Sequence, residues 1–190
     1  MSDSISSEAV SETKSNVYDI VYIGMFAVLI AVCSWISIPT TVPFTLQTFG
    51  VFMAAGVLGG RRGTLAVLVY ILMGALGLPV FAGFAGGVGI LLGSTGGYIL
   101  GFLFSALIMW LVEKLFGQAA LWRIIAMISG LAVCYAFGTI WFVKVYSAAN
   151  GAVSIKTALG WCVIPFIPAD AAKIILAFGM APRIRKIVRI

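Results

Sequence analysis

Histidine is absent from this chain of 190 residues, and charged residues make up only 9% of it. The lack of histidine excludes a Ser-His-Asp hydrolase and any metal or haem site held by histidine ligands. Charged residues form about 25% of an ordinary soluble domain, whereas 62% of this chain is hydrophobic. A soluble fold of this length has too little interior to bury so much apolar surface. The composition therefore indicates an integral membrane protein.

Cysteine is scarce, and an ATP-binding motif is missing. Cys33, Cys134 and Cys162 each lie singly within an apolar run, which predicts packing residues rather than disulfides or thiolate metal ligands. No G-x-x-x-x-G-K-[ST] loop occurs, so the chain does not bind ATP in the P-loop manner. We therefore expect no cofactor, no metal and no enzyme activity, and any ATP-driven step has to come from another protein.

Long uncharged runs predict six membrane-crossing helices, because one crossing needs about 20 mostly apolar residues. We place these crossings at about 19–38, 44–60, 64–78, 95–113, 124–147 and 157–180. The prolines within residues 39–43 and the polar run Arg61-Arg62-Gly63 mark the first two links. The sequence thus predicts an all-α membrane domain over residues 19–182, preceded by a polar, mostly disordered tail at 1–18 and followed by a basic tail at 183–190.

The basic residues are distributed unevenly about these crossings. With six crossings both ends of the chain lie on one side of the membrane, and that side holds nine of the twelve basic residues. The positive-inside rule assigns such a side to the cytoplasm, so both termini are predicted to be cytoplasmic. The net charge of +6 then reflects topology and some attraction to membrane lipid, and we expect no nucleic-acid binding.

A glycine-rich segment separates the third and fourth crossings. Pro79–Gly97 is apolar yet contains seven glycines, which are costly within helices and allow close approach of the backbone. Irregular backbone is tolerated within a membrane only where protein covers it or where it lines a cavity. The segment is therefore either part of a cavity wall or has no role in binding. In the second case it is a loop, or a helix whose glycines let a neighbouring helix pack closely.

Asp170 and Lys173 are charges inside a predicted crossing, where each costs about 2.5–3.5 kcal/mol on insertion scales. They are three residues apart and share one face of a helix. Pro168 suits the first turn of that helix, so Asp170 is expected near its N-terminus, which favours a carboxylate. Two interpretations stay open: an ion pair that only fixes packing, and a polar ligand site with an acceptor at Asp170 and a donor at Lys173.

Polar groups at the start of the second crossing, within Phe44–Phe49, stand out against an apolar background. Among them, Gln47 can both donate and accept hydrogen bonds. Together with Tyr98, Trp35 and the glycine-rich segment, Gln47 could line a pocket that opens outward. The alternative is that these polar groups only form hydrogen bonds between helices.

Four segments together resemble the BioY family, the biotin-specific substrate-binding (S) components of energy-coupling factor (ECF) transporters. They are Pro43–Phe49, Gly77–Gly83, Gly93–Phe102 and Ile167–Lys173, and their order and spacing match the family over nearly all of the chain after the N-terminal tail. Two positions, Arg61 and Ser94, depart from a proline that is usual in the family.

This resemblance implies a six-helix S-component fold in the plasma membrane of a prokaryote that captures biotin from outside with high affinity. It implies a transmembrane coupling protein and two ATPase subunits as partners. Ala27 and Ala31, which have a small-xxx-small spacing on the first helix, would contact the coupling protein. Asp170 and Lys173 would bind biotin, and the further pocket candidates are Gln47, Tyr98, Trp35, Phe81, Ala82 and Gly83.

Three other functions stay open on the sequence. A membrane enzyme acting on a lipid would need a nucleophile with a base, or paired carboxylates. A structural or assembly subunit would use Asp170 and Lys173 only for packing. A solitary secondary transporter would work without partners, although the sequence offers no series of carboxylates for a proton or sodium relay.

Overall fold

The computed structural model of the chain describes residues 2–40 and 42–188. Within them the fold is almost wholly helical, with α1 at Ser2–Trp35, α2 at Gln47–Leu58, α3 at Gly60–Ala75, α4 at Val88–Leu92, α5 at Gly96–Phe116, α6 at Ala120–Asn150, α7 at Ile155–Cys162 and α8 at Ile167–Val188. Two short strands, β1 (Ser37–Ile38) and β2 (Phe44–Thr45), pair antiparallel between α1 and α2. The prediction of a helical protein is confirmed.

Four segments of the described chain are long and apolar enough to cross a membrane. They are Val17–Trp35, Gly96–Phe116, Ala120–Asn150 and Ile155–Val188. α2 has 12 residues and α3 has 16, so both are shorter than the roughly 20 residues of a full crossing. The membrane-protein class is thus supported, while the number of six crossings and the side of the termini stay predictions.

Both ends of the chain are more helical than the sequence led us to expect. α1 begins at Ser2, so the residues predicted as a mostly disordered tail continue the first helix. Neither glycine nor proline occurs before Gly24, so the sequence places no helix breaker there. α8 likewise continues past Pro182 to Val188 and contains most of the predicted basic tail.

The turn between the second and third helices lies earlier than predicted. Gly59 has a positive φ of 82° and separates α2 from α3, which begins at Gly60. Arg61 and Arg62 therefore belong to the first turn of α3 rather than to a polar loop. Arg62 reaches back to α1 and pairs with Asp19, with 2.9 Å between Nε and Oδ2.

The glycine-rich segment Pro79–Gly97 is irregular over most of its length. A 3-10 turn at Ala82–Phe84 and the short helix α4 are its only regular elements before α5 among the described residues. The N–H of Gly87 donates to the carbonyl of Gly74 at 2.7 Å, which fixes the segment to the end of α3. The backbone is therefore held by the protein itself, as irregular backbone in a membrane requires.

The sixth predicted crossing, at about 157–180, is broken rather than continuous. A 3-10 turn at Ile164–Phe166 separates α7 from α8. Pro165 and Pro168 lack the N–H that a continuous helix would use, which explains the break. As a result Asp170 lies in the first turn of α8, as expected, where the helix N-terminus favours a carboxylate.

Helix packing brings the starts of three helices together. α5 packs along α6, α8 packs against α2, and α3 packs against α1, α2 and α5. The start of α2, the start of α5 and the start of α8 thereby meet beside the middle of α6, and the candidate site lies at this meeting point.

Candidate functional site

A cavity of about 220 Å³ lies where α2, α5, α6 and α8 meet. It is lined by Val42, Pro43, Thr45, Gln47, Thr48, Phe81, Ala82, Ala85, Ile90, Thr95, Tyr98, Ile99, Phe102, Cys134, Tyr135, Cys162, Phe166, Asp170 and Lys173. Six of the predicted pocket residues are therefore brought together, namely Asp170, Lys173, Gln47, Tyr98, Phe81 and Ala82. The glycine-rich segment contributes part of the wall, so its interpretation as a cavity wall is the one that fits.

The polar centre of the cavity is an ion pair between Lys173 and Asp170. Lys173 Nζ lies 2.6 Å from Asp170 Oδ1, and the two side chains are 5% and 2% exposed. Lys173 also donates to the backbone carbonyl of Thr45 at 2.7 Å, and its Nζ lies 4.9 Å from the centre of the Phe44 ring. Because an unpaired buried charge is costly, these contacts explain how the fold keeps both charges in its interior.

Three side chains donate hydrogen bonds to the Asp170 carboxylate. Thr48 Oγ1 and Lys173 Nζ donate to Oδ1 at 2.8 and 2.6 Å, and the Tyr135 hydroxyl donates to Oδ2. A carboxylate has about four lone-pair sites, and an ammonium has three N–H donors. The contacts of the pair therefore leave an acceptor site on Oδ2 and one N–H of Lys173 for a ligand in the cavity.

Gln47 and Tyr98 line the cavity and also form hydrogen bonds between helices, so the two interpretations of these polar groups do not exclude each other. Gln47 Nε2 donates to the Tyr70 hydroxyl on α3, and its Oε1 accepts from Thr45 Oγ1 at 3.0 Å. The Tyr98 hydroxyl lies 3.0 Å from the Thr139 hydroxyl on α6. These bonds fix both side chains in place at the cavity wall.

Trp35 and Gly83, two of the predicted pocket residues, lie outside the cavity lining. Trp35 Nε1 donates to the Pro79 carbonyl at 2.8 Å, and its ring stacks on Phe84 with 5.1 Å between centroids. Gly83 is exposed, whereas Phe81 from the same segment is buried and faces the cavity. A role for Trp35 or Gly83 in binding stays a prediction that this arrangement does not support.

Ala27 and Ala31 lie inside the chain rather than on its surface. They are 0% and 2% exposed, because α1 packs this face against its neighbours α2 and α3. The outward face of α1 carries larger side chains, including Met25, Val28 and Val32. A contact between these two alanines and a coupling protein stays a prediction that this burial does not support, and their small size lets α1 pack closely within this chain.

The three cysteines are free and buried, as the sequence predicts. Cys134 and Cys162 line the cavity, and Cys134 Sγ donates to the Tyr98 carbonyl at 3.6 Å. Across residues 2–40 and 42–188, no three metal-ligating side chains form a cluster that could hold an ion. The polar groups that line the cavity are the ion pair with its hydroxyl donors and the side chains of Thr45, Gln47, Thr95 and Tyr98.

Sequence reasoning missed two of the three donors to Asp170. Thr48 directly follows Gln47 in a segment already marked as polar, so that segment contained the signal for it. Tyr135 lies 35 residues before Asp170, in an apolar part of α6, and no local pattern connects the two residues.

Gly138 makes room for the ring of Tyr98. A Cβ added at Gly138 would lie 2.2 Å from Cδ1 of that ring, far inside van der Waals contact. We expect Gly138→Ala to displace the ring and to lower the free energy of unfolding by about 1–3 kcal/mol, the usual cost of overpacking. Thermal unfolding of the purified variant in detergent measures this effect.

Gly179→Ala is the matched control for this prediction. Gly179 also lies within a helix, but an added Cβ there has nothing within 4 Å. The control variant is expected to be neutral, or stabilised by up to about 1 kcal/mol through helix propensity. Equal melting temperatures for the two variants would contradict the packing argument.

Known proteins resemble this chain over most of its length. The BioY family model matches residues 7–190. The chain is 42% identical over 165 residues to the biotin transporter BioY of Thermotoga maritima, covering 86% of this chain and 94% of that protein. It is 37% identical to the probable biotin transporter BioY of Pyrococcus horikoshii, covering 86% of this chain and 93% of that protein.

A solved structure has the same overall fold. It is a crystal structure of the S-component for biotin from an ECF-type ABC transporter, and it matches with a TM-score of 0.81 at 28% identity. The match covers 91% of this chain and 93% of that chain.

Proposed function

The chain belongs to the BioY family, whose members are transporter components rather than enzymes, and from this premise we propose that it binds biotin in the cavity around Asp170 and Lys173. One observation carries the proposal above all others. A buried acceptor and a buried donor lie 2.6 Å apart at the wall of a small cavity, and both keep hydrogen-bonding capacity. Such an arrangement suits a small ligand that has donors and an acceptor close together.

Biotin has this chemistry in its ureido ring, which offers two N–H donors and one carbonyl acceptor. In the proposed complex Asp170 Oδ2 accepts from a ureido N–H, and Lys173 donates to the carbonyl. Both hydrogen bonds are charge-assisted, which makes them stronger than neutral ones. The sulfur-containing ring lies against apolar side chains such as Phe81, Ile99 and Phe102. The carboxylate tail points to the cavity mouth, where removing water from it costs least.

The same proposal includes partners that supply energy. A tightly bound ligand is released only by a change of state with its own free-energy difference, and this chain has no P-loop with which to bind ATP. We therefore propose that a transmembrane coupling protein and two ATPase subunits drive uptake. In this arrangement the chain crosses the plasma membrane of a prokaryote six times, with both termini in the cytoplasm and the cavity facing outward.

Equilibrium binding of biotin to the purified chain in detergent tests the proposed function. We expect saturable binding at nanomolar biotin, with one site per chain and no requirement for ATP; a dissociation constant of 1 nM corresponds to about −12.3 kcal/mol. Intrinsic tryptophan fluorescence follows the titration without a label. A folded, monodisperse sample that fails to bind biotin would contradict the proposal.

A further inference from the structure

A second concave region, which we call the basic groove, lies at the other end of the bundle from Asp170. It has a volume of about 810 Å³ and is formed by the end of α2, the start of α3, the end of α5, and parts of α1 and α8. The cavity proposed for biotin is formed instead by the starts of α2, α5 and α8, so the two sites share no lining residue.

The rim of the basic groove carries an excess of positive charge. Four basic side chains line it, from Arg61, Arg62, Lys114 and Arg185, against two acidic ones, from Asp19 and Glu113. Each acidic side chain already has partners within the chain. Asp19 pairs with Arg62 at 2.9 Å, and Glu113 accepts hydrogen bonds from the N–H of Gly60 and from Gln118 Nε2. The rim therefore attracts an anion.

The wall of the basic groove is apolar. Ile20 and Ile23 of α1, Leu65 of α3 and Trp110 of α5 line it beside the basic side chains. Ile20 is 70% exposed and Leu65 is 38% exposed, so this wall is not covered by other parts of the described chain. In a membrane such a wall faces lipid chains, and tryptophan is typical of the level where lipid headgroups begin.

We propose that the basic groove binds one anionic phospholipid, with its phosphate at Arg61 and Lys114 and its acyl chains along Ile20 and Leu65. Basic pockets between membrane helices are suited to acidic headgroups, and arginine contacts phosphate through paired hydrogen bonds. A free anion would use only the rim, and a zwitterionic lipid would bring a cation of its own to a rim that is already positive. An anionic lipid matches both the rim and the wall.

Native mass spectrometry of the purified full-length chain tests this site. The probe is phosphatidylglycerol, compared with phosphatidylcholine of the same acyl chains. We expect the parent chain to retain one phosphatidylglycerol with at least a fivefold preference. The double variant Arg61→Ala/Lys114→Ala should lose that preference, because both proposed phosphate contacts are removed. Both residues are exposed on the rim, so the fold should tolerate the change. Arg61→Gln alone, which keeps most of the side chain, should weaken it partly.

The matched control is Arg183→Ala/Lys186→Ala, which removes the same charge from the same end of the helix bundle. Both control residues are exposed on α8 and do not line the basic groove. The control variant should keep the preference. Equal loss in both double variants would mean diffuse attraction to charge and would overturn the proposal.

Two further results would also overturn the lipid site. Displacement of the lipid by millimolar inorganic phosphate would indicate a site for soluble anions. If a monodisperse parent sample shows no lipid selectivity, the groove is not a lipid site and is better explained by another partner, such as a protein segment. Size-exclusion profiles and tryptophan fluorescence of every variant verify its fold independently of biotin binding, so failure of this proposal is distinguishable from failure of the proposed function.

Discussion

Asp170→Asn is expected to weaken biotin binding at least tenfold, which corresponds to about 1.4 kcal/mol of binding free energy. Asparagine keeps the shape of the side chain and one oxygen, so Thr48 and Lys173 still have an acceptor. The variant loses the negative charge, and a neutral amide accepts a weaker hydrogen bond from a ureido N–H. The NH₂ group of the asparagine also takes the place of Asp170 Oδ2, which accepts from Tyr135 and is proposed to accept from the ligand. An NH₂ group is a donor and cannot accept these hydrogen bonds.

Titration of the parent chain and the variant with biotin, under identical detergent conditions, measures this loss. Asp19→Asn is the control, because it removes the same charge near the basic groove, where Asp19 pairs with Arg62. Its affinity for biotin should equal that of the parent. Unchanged affinity in Asp170→Asn would falsify the assignment of the ureido ring to this carboxylate, while biotin binding by the parent would still support the function.

Local features of the sequence were enough to predict the polar centre of the site. Asp170 and Lys173 are three residues apart, so helical geometry alone places them on one face. The glycines of Pro79–Gly97 likewise predict irregular backbone wherever the segment lies, because their effect on the backbone is local. Gln47 stands out because a polar side chain in an apolar run needs a partner or a ligand.

The missed features depend on how the helices are arranged in space. The spacing of Ala27 and Ala31 identifies a face of α1 but does not say whether that face points inward or outward, and the structure points it inward. Tyr135 reaches Asp170 only because α6 packs beside the start of α8. Trp35 lies near the glycine-rich segment as expected, but it stacks on Phe84 instead of entering the cavity.

The predicted helix boundaries were wrong where an apolar run was given more weight than the helix-breaking prolines within it. The sixth predicted crossing took the apolar run as one helix, although Pro165 and Pro168 divide it into α7 and α8. This break has a consequence for the site, because it gives α8 a free N-terminus beside the cavity. The carboxylate of Asp170 lies in that first turn, where the backbone N–H groups favour a negative charge.

Lys173→Met is expected to lower the free energy of unfolding by about 3–5 kcal/mol, the usual cost of removing one partner of a buried ion pair. Asp170 would keep Thr48 and Tyr135 as donors, but its charge would be left without a balancing cation in a site that is 2% exposed. Unfolding by SDS in mixed micelles measures the loss. Lys144→Met is the control, because Lys144 is exposed on α6 and its replacement should change stability by no more than about 0.5 kcal/mol.

The double variant Asp170→Asn/Lys173→Met separates the two interpretations that the sequence left open for this pair. If Lys173→Met destabilises the fold by leaving a carboxylate unpaired, neutralising that carboxylate should restore most of the stability. Additive losses would show instead that the lysine side chain acts mainly through its packing. Biotin affinity should stay low in the double variant whichever way stability changes, because both proposed ligand contacts are gone. Recovery of stability without recovery of affinity would therefore identify a ligand site, whereas recovery of both would indicate an ion pair that only fixes the fold.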